Sequence, residues 1–268
     1  IVNTPYTAKV FTNIYQGNVS YPFDVVKSLR FTGGVRVDHQ VVSSMDANTL
    51  LAESIKRTYF QSRLEYINDN SQRVAENIWF GIRYKVYMEY FRELTKAKYS
   101  TGRDIFNAGF DARNYYPIYR NVIWALRASG NFSWGKQKLI YYLGGTDGWL
   151  ILGSNIKNGR QRYFDNNNPP DPDPDYAFQT LAVNMRGFIQ NVANGNNAFV
   201  INSEIRVPVI STFFDKVINN PFLRDLQVIQ FVDLGTAWNG TYKGMRRPQV
   251  VYGADPVQVK IKAPGIGP

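Results

Sequence analysis

From Ile78 to Tyr90, every even position is apolar or aromatic: Ile78, Phe80, Ile82, Tyr84, Val86, Met88 and Tyr90. The odd positions include Gly81, Arg83, Lys85 and Glu89. Successive side chains of a strand point to opposite faces, so the segment predicts one apolar face and one charged, small-residue face. It is also long: a strand of a soluble protein averages about 5–6 residues, whereas one tilted across a bilayer needs roughly 9–11.

The same period of two recurs along the chain. It predicts strands over residues 6–16, 29–42, 58–68, 77–91, 106–113, 121–134, 198–209 and 226–238, with shorter ones near 20–27, 138–143 and 257–262. That makes roughly nine to eleven strands, separated by turn-rich stretches such as Asn68-Asp69-Asn70-Ser71 and Trp134-Gly135-Lys136. A soluble β-sandwich alternates in the same way. Strand length and aromatics gathered near strand ends (Tyr115, Tyr116, Tyr119, Phe132, Trp134) favour an all-β fold of another kind, a transmembrane antiparallel β-barrel. Its apolar face would meet lipid and its charged face a wet interior.

One region breaks the rhythm. Residues 144–197 open on Gly144-Gly145, pass through the Pro/Asp run from Pro169 to Asp175, and close on Gly195-Asn196-Asn197. Proline cannot donate to a sheet ladder, so the run predicts a loop, and one this long is functional or disordered. The following segment, Phe178 to Phe188, is too apolar for a linker and predicts a loop that folds back onto something.

Composition narrows the reading. The formal net charge is +10, but Lys and Arg sit at alternate strand positions (Arg30, Arg36, Arg63, Arg83, Lys85, Arg113, Arg127, Arg206) and form no basic run or recognition helix. Nucleic acid is therefore not the expected partner; a basic lumen or rims facing anionic lipid is. Cysteine is absent, which rules out disulfides and Cys-based metal sites. No run of about 18 apolar residues offers a transmembrane helix. The single histidine, His39, has no nucleophile signature beside it, so no catalytic residue, metal or cofactor is expected and the chain reads as a non-enzyme. Asp171, Asp173 and Asp175 do not have EF-hand spacing and read as a solvated loop. Neither end reads as natural: Ile1-Val2-Asn3 is no signal peptide, and Ala263 to Pro268 follows no closing strand, so residues 1–268 read as part of a larger barrel.

Four landmarks then occur in order: Gly144-Gly145, Met185-Arg186-Gly187-Phe188, Asn202-Ser203-Glu204-Ile205-Arg206-Val207-Pro208 and Phe231-Val232-Asp233-Leu234-Gly235. Together they resemble the BamA-type superfamily of outer-membrane insertases and translocators (bacterial surface antigens), with an Arg-Gly-Phe/Tyr turn on an inward-folded extracellular loop. Leu64-Glu65-Tyr66, Gly81 to Lys85 and Glu89-Tyr90-Phe91 further resemble a subgroup whose barrel follows a TolB-like β-propeller. The resemblance implies a sixteen-stranded barrel, about ten strands of it in this chain, in the outer membrane of a Gram-negative bacterium. It implies assistance to protein insertion, assembly or translocation, with an accessory scaffold subunit or a passive channel as alternatives. The expected partners are outer-membrane lipid and lipopolysaccharide, unfolded outer-membrane or secreted proteins, and subunits of a larger complex. By parity Glu204 and Asp233 fall on polar strand faces, and the resemblance implies that they hold Arg186 there. Gly187 would allow close backbone approach and Phe188 would pack on the inner wall, with Gly235 part of the same set.

Overall fold

The computed structural model describes residues 8–42, 54–95, 103–145, 156–157, 160–161, 168–170, 176–213, 220, 226–242, 250–252 and 257–259. The chain folds into strands β1 (Ala8–Pro22), β2 (Lys27–Val42), β3 (Ile55–Asp69), β4 (Gln72–Ala75), β5 (Ile78–Glu93), β6 (Asp104–Tyr119), β7 (Val122–Gly135) and β8 (Lys138–Gly144). Two short pieces, β9 (Ile156–Lys157) and β10 (Arg160–Gln161), pair with each other. Then come β11 (Tyr176–Asn184), β12 (Ala193–Gly195), β13 (Asn197–Pro208), one helical turn α1 (Val209–Phe213), β14 (Gln227–Trp238) and the pair β15 (Val250–Tyr252) and β16 (Val257–Val259).

Eight long strands form one antiparallel sheet in the order β1-β2-β3-β5-β6-β7-β13-β14, with β4 paired to the start of β5. Each neighbour is the next long strand in the chain, so the sheet is a meander of hairpins until β7. There β13 takes the next place, although residues 136–196 lie between them. Among the described residues the sheet does not close: β1 pairs only with β2, and β14 only with β13. No described helix is long and apolar enough to cross a membrane, which says nothing of crossing by strands.

The described strands of the insertion stay with the large sheet. β8, β11 and β12 form a second, three-stranded sheet in which β11 runs parallel to β8 and β12 antiparallel to it. This small sheet packs on one face of the large one. Leu139, Tyr141, Leu143, Val183 and Met185 from the insertion share a core with Tyr59 of β3, Phe91 of β5, Ile105 of β6 and Ala198 and Val200 of β13. We call the covered side the inner face.

Side-chain alternation divides the two faces cleanly. Arg63 and Glu65 of β3, Glu89 of β5, Asn107 and Asp111 of β6, Arg127 of β7, and Glu204 and Arg206 of β13 lie on the inner side and bond to partners there. Phe31, Leu64, Val86, Phe106, Trp124 and Leu234 point the other way and are exposed. On β5 the contrast is sharp within a few residues: Met88 is 61% exposed, while Phe91 is 4%. Apolar residues thus cover the bare face, while the packed face carries the charged residues together with the apolar core under the small sheet, unlike a soluble sheet with one wet side.

Two expectations from the sequence need correction, and one strand was not expected. Residues 20–27 are not a separate strand, because Tyr21 and Pro22 end β1 and residues 23–26 form the bend into β2, held by hydrogen bonds between Phe23 and Lys27. Residues 138–143 are a strand but leave the wall: Gly135, at φ 123°, breaks β7 where a side chain would strike Asp104, and the chain turns inward. β4 escapes the sequence reading. Its turn is Glu76-Asn77, with Asn77 at φ 60°, a conformation asparagine tolerates better than most residues. The Asp171/Asp173/Asp175 series lies outside the described residues.

Candidate functional site

The loop after β11 brings the landmarks together. Gly144, at φ 145°, ends β8, and a Cβ there would strike the backbone of Ile189; at Gly145 it would strike that of Met185. The two glycines therefore form a seat that no larger residue allows. On it rests the turn Met185 to Phe188, tied by Met185 N–H to the Gly144 carbonyl (2.9 Å) and Gly145 N–H to the Phe188 carbonyl (2.9 Å). Gly187 lies at φ 80°, left-handed backbone that favours glycine. Met185 and Phe188, on either side of the turn, go into the core. Gly235 of β14 lacks a side chain where Met185 and Leu143 press against it.

With its neighbours packed on the wall, Arg186 is directed onto β13 and β14. Its backbone N–H donates to Asp233 Oδ2 (2.8 Å), and its Nε and Nη2 donate to Oδ2 and Oδ1 of the same carboxylate (3.1 and 2.9 Å). Its Nη1 pairs with Glu204 Oε1 at 2.7 Å. The guanidinium also lies over the Phe231 ring, 4.0 Å from its centroid. Asn202 and Asp233 are directly opposite in the β13–β14 register, as are Glu204 and Phe231, so both carboxylates and the ring project from adjacent rows of one face. The Asp233 side chain is only 1% exposed.

Fork-on-carboxylate geometry and a buried acceptor make this a strong, directional tether. Burial works to lower the pKa of Arg186, but the bonds to Asp233 and Glu204 outweigh it and hold the group above its ordinary value. Arg186 is a fixed cation. The tether continues: Glu204 Oε2 accepts from Arg206 (2.7 Å), whose Nη1 reaches the carbonyl of Asn77 (2.8 Å) in the β4–β5 turn. Gln227 also donates to the Glu76 carbonyl (2.6 Å). A polar chain thus runs from the inserted turn along β13 to a hairpin three strands away in the sheet, with β7 and β6 between.

Six residues singled out from the sequence therefore meet at one place: Arg186, Gly187, Phe188, Glu204, Asp233 and Gly235. The sequence reading missed Phe231, Arg206 and Asn77, and missed that Gly144-Gly145 is the seat of the turn. Parity would have found Phe231, two residues from Asp233 on the same face; nothing local to Asn77 points to its distant partner. His39 lies on β2 opposite Phe11 and Lys56, away from this set in the strand register. Among the described residues no group of three or more His, Cys, Asp or Glu is placed to hold a metal. Beside Arg186 lies a cavity of about 260 Å³, walled by β6, β7, β13 and the loop. The arrangement can hold a segment in place and concentrate charge; it presents no nucleophile and base in contact.

No protein-family model matches the chain, and no curated protein matches it. What the fold defines is a class: an all-β protein on one antiparallel sheet of long strands, with charged residues inside, apolar ones outside, and an inserted subsheet tethered by one arginine.

Proposed function

We propose that the chain is part of an outer-membrane β-barrel of the BamA-like superfamily that assists insertion, assembly or translocation of proteins. The observation that carries this reading is the inward-returning loop whose Arg186 is clamped between Glu204 and Asp233. A second sheet locked on the inner face narrows any passage along it, which favours this reading over a wide passive pore.

Lipid as the surrounding of the outer face has its own support. Strands of 14–16 residues are about 50 Å long at roughly 3.3 Å per residue, enough to cross a tilted path through an apolar band about 25 Å tall. Tyr90, Phe106 and Trp134 form a cross-strand row on the outer side of β5, β6 and β7, with ring centroids 5.1 and 6.3 Å apart. Tyr116, Tyr119 and Trp124 are exposed towards the other end. Two aromatic groups at opposite ends of an apolar face fit the belts found at both membrane interfaces. Among the described residues the outer edges of β1 and β14 are unpaired, and in lipid such edges have to be covered.

The test uses the full-length protein reconstituted in vesicles. The Arg186→Ala variant should lose most assisted folding of an outer-membrane substrate while the protein remains in the membrane. Wild-type protein that accelerates no substrate folding but conducts ions freely would instead identify a channel. Stoichiometric partners with neither property would identify a scaffold subunit.

A further inference from the structure

The inner face carries an arrangement that the loop tether does not use. Arg83 of β5 stands directly opposite Arg113 of β6, and Arg113 directly opposite Arg127 of β7. Three guanidiniums thus share one cross-strand row, and Asn202 of β13 occupies the next place in it. Like charges directly opposite one another in a sheet are destabilising, so such a row calls for compensating anions.

The protein supplies too few. Asp69 pairs with Arg83 at 3.2 Å. Arg113 and Arg127 share a single carboxylate, Asp111, which takes Nε and Nη2 of each at 2.5–3.3 Å. Glu204 is already divided between Arg186 and Arg206. The Nη1 groups of Arg113 and Arg127 stand outside the bonds to Asp111, and the Arg113 side chain also bonds the Tyr115 hydroxyl.

These side chains also wall the cavity beside the tether. Four guanidiniums line it, those of Arg113, Arg127, Arg186 and Arg206, and they share three carboxylates, Asp111, Glu204 and Asp233, which leaves one positive charge in excess. Arginines prearranged around a recess, with donors left over and positive charge in excess, match an oxyanion with several acceptor oxygens.

We propose that this recess is a binding site for a phosphate-class oxyanion, either free phosphate or a phosphate monoester, held by Arg113 and Arg127 with Arg206 on the opposite wall. The anion completes the charge balance that Asp111 leaves unfinished. It binds beside the Arg186 tether without breaking it, because Asp233 and Glu204 keep the donors they already have. The site does not depend on the proposed role in protein insertion, since it needs only the inner-face geometry.

Calorimetric titration of the detergent-solubilised full-length protein at low salt tests this, with inorganic phosphate and glycerol 3-phosphate as probes. Saturable binding of one ion per chain is expected, weakening steeply as sodium chloride is added. Arg127→Gln and Arg113→Gln should each weaken it about tenfold or more, and Arg127→Lys, which keeps the charge but not the fork, should fall between. Tighter binding of glycerol 3-phosphate than of phosphate would assign the site to an organic monoester, and equal binding to the free ion. Absence of saturable binding by the wild-type protein up to about 10 mM of either probe overturns the proposal. So does binding by both glutamine variants, folded by heat-modifiable mobility, that equals the wild type.

Discussion

The two ends of the large sheet are made by the same rule and end up different. At one end β1 and β2 pair over fifteen consecutive residues; β1 is exposed from residue 9 to residue 22, and β2 meets the insertion through Arg36, whose guanidinium lies 3.7 Å from the Phe178 ring centroid. Their polar contacts are few and near at hand: Thr12 to Asp38 at 2.7 Å and Arg36 to Asp38 at 2.9 Å. At the other end β13 and β14 pair over twelve residues, and the segment that directly precedes β13 is folded back onto them, buried and tied by charge. Alternation alone makes a wall. What turns one part of that wall into a site is the chain's return across it, and the tether that fixes the return.

If so, substitutions at the tethered end should cost far more than equivalent ones at the open end. The largest effect is expected from Arg186→Ala. It strands Asp233, whose side chain is 1% exposed, without its charge partner, and loss of one member of such a pair costs about 3–5 kcal/mol. Urea titration of the full-length protein, read by heat-modifiable mobility, measures it; a loss below that of a surface ion pair would erase the contrast between the two ends.

Leu143→Ala comes next. Leu143 is 1% exposed at the centre of the packing between the small sheet and the wall, and Leu→Ala in a core costs about 2–4 kcal/mol. Protease cleavage within the insertion should speed up in this variant while the wall strands stay protected.

Asn196→Ala should weaken the fold by about 1–2 kcal/mol. The Asn196 side chain donates to the Ser133 carbonyl (2.7 Å) and accepts from Gly240 N–H (2.9 Å), fastening the end of the insertion between β7 and the end of β14. Faster hydrogen exchange at Gly240, without a global change, is the expected signature.

Thr12→Val should change stability by less than about 0.5 kcal/mol, because the bond it removes is exposed and its replacement suits a strand. A loss comparable with that of Asn196→Ala would show the open end to be as tightly held as the other.

Much of this was legible in the residues. Long, regular alternation placed nearly every wall strand, because the period of two is set by the backbone itself and needs no knowledge of neighbours. Parity put Glu204 and Asp233 on the polar face for the same reason. Register was not legible: nothing in the local sequence says that Arg83, Arg113 and Arg127 stand in one row, since that depends on how each hairpin turns. Nor could the seat be read. Gly144 and Gly145 look like ordinary loop glycines, and their partner turn lies forty residues on, beyond any periodic signal. Residues 138–143 misled for a related reason: Lys138 to Gly144 has the composition of a wall strand, and only the break at Gly135 diverts it inward.

The central claim is that the sheet's two faces meet different surroundings, lipid outside and a charged, partly filled interior within. The chain has no cysteine, so single cysteines report their own positions without interference. Spin labels at 86, 87, 88 and 89 along β5, in the full-length protein in lipid vesicles, measure collisions with membrane-soluble oxygen and with a water-soluble nickel chelate. Labels replacing Val86 and Met88 should favour oxygen, and those replacing Tyr87 and Glu89 should not, giving a period of two. Equal access of the nickel chelate to all four positions, or an alternation of opposite phase, would contradict the account.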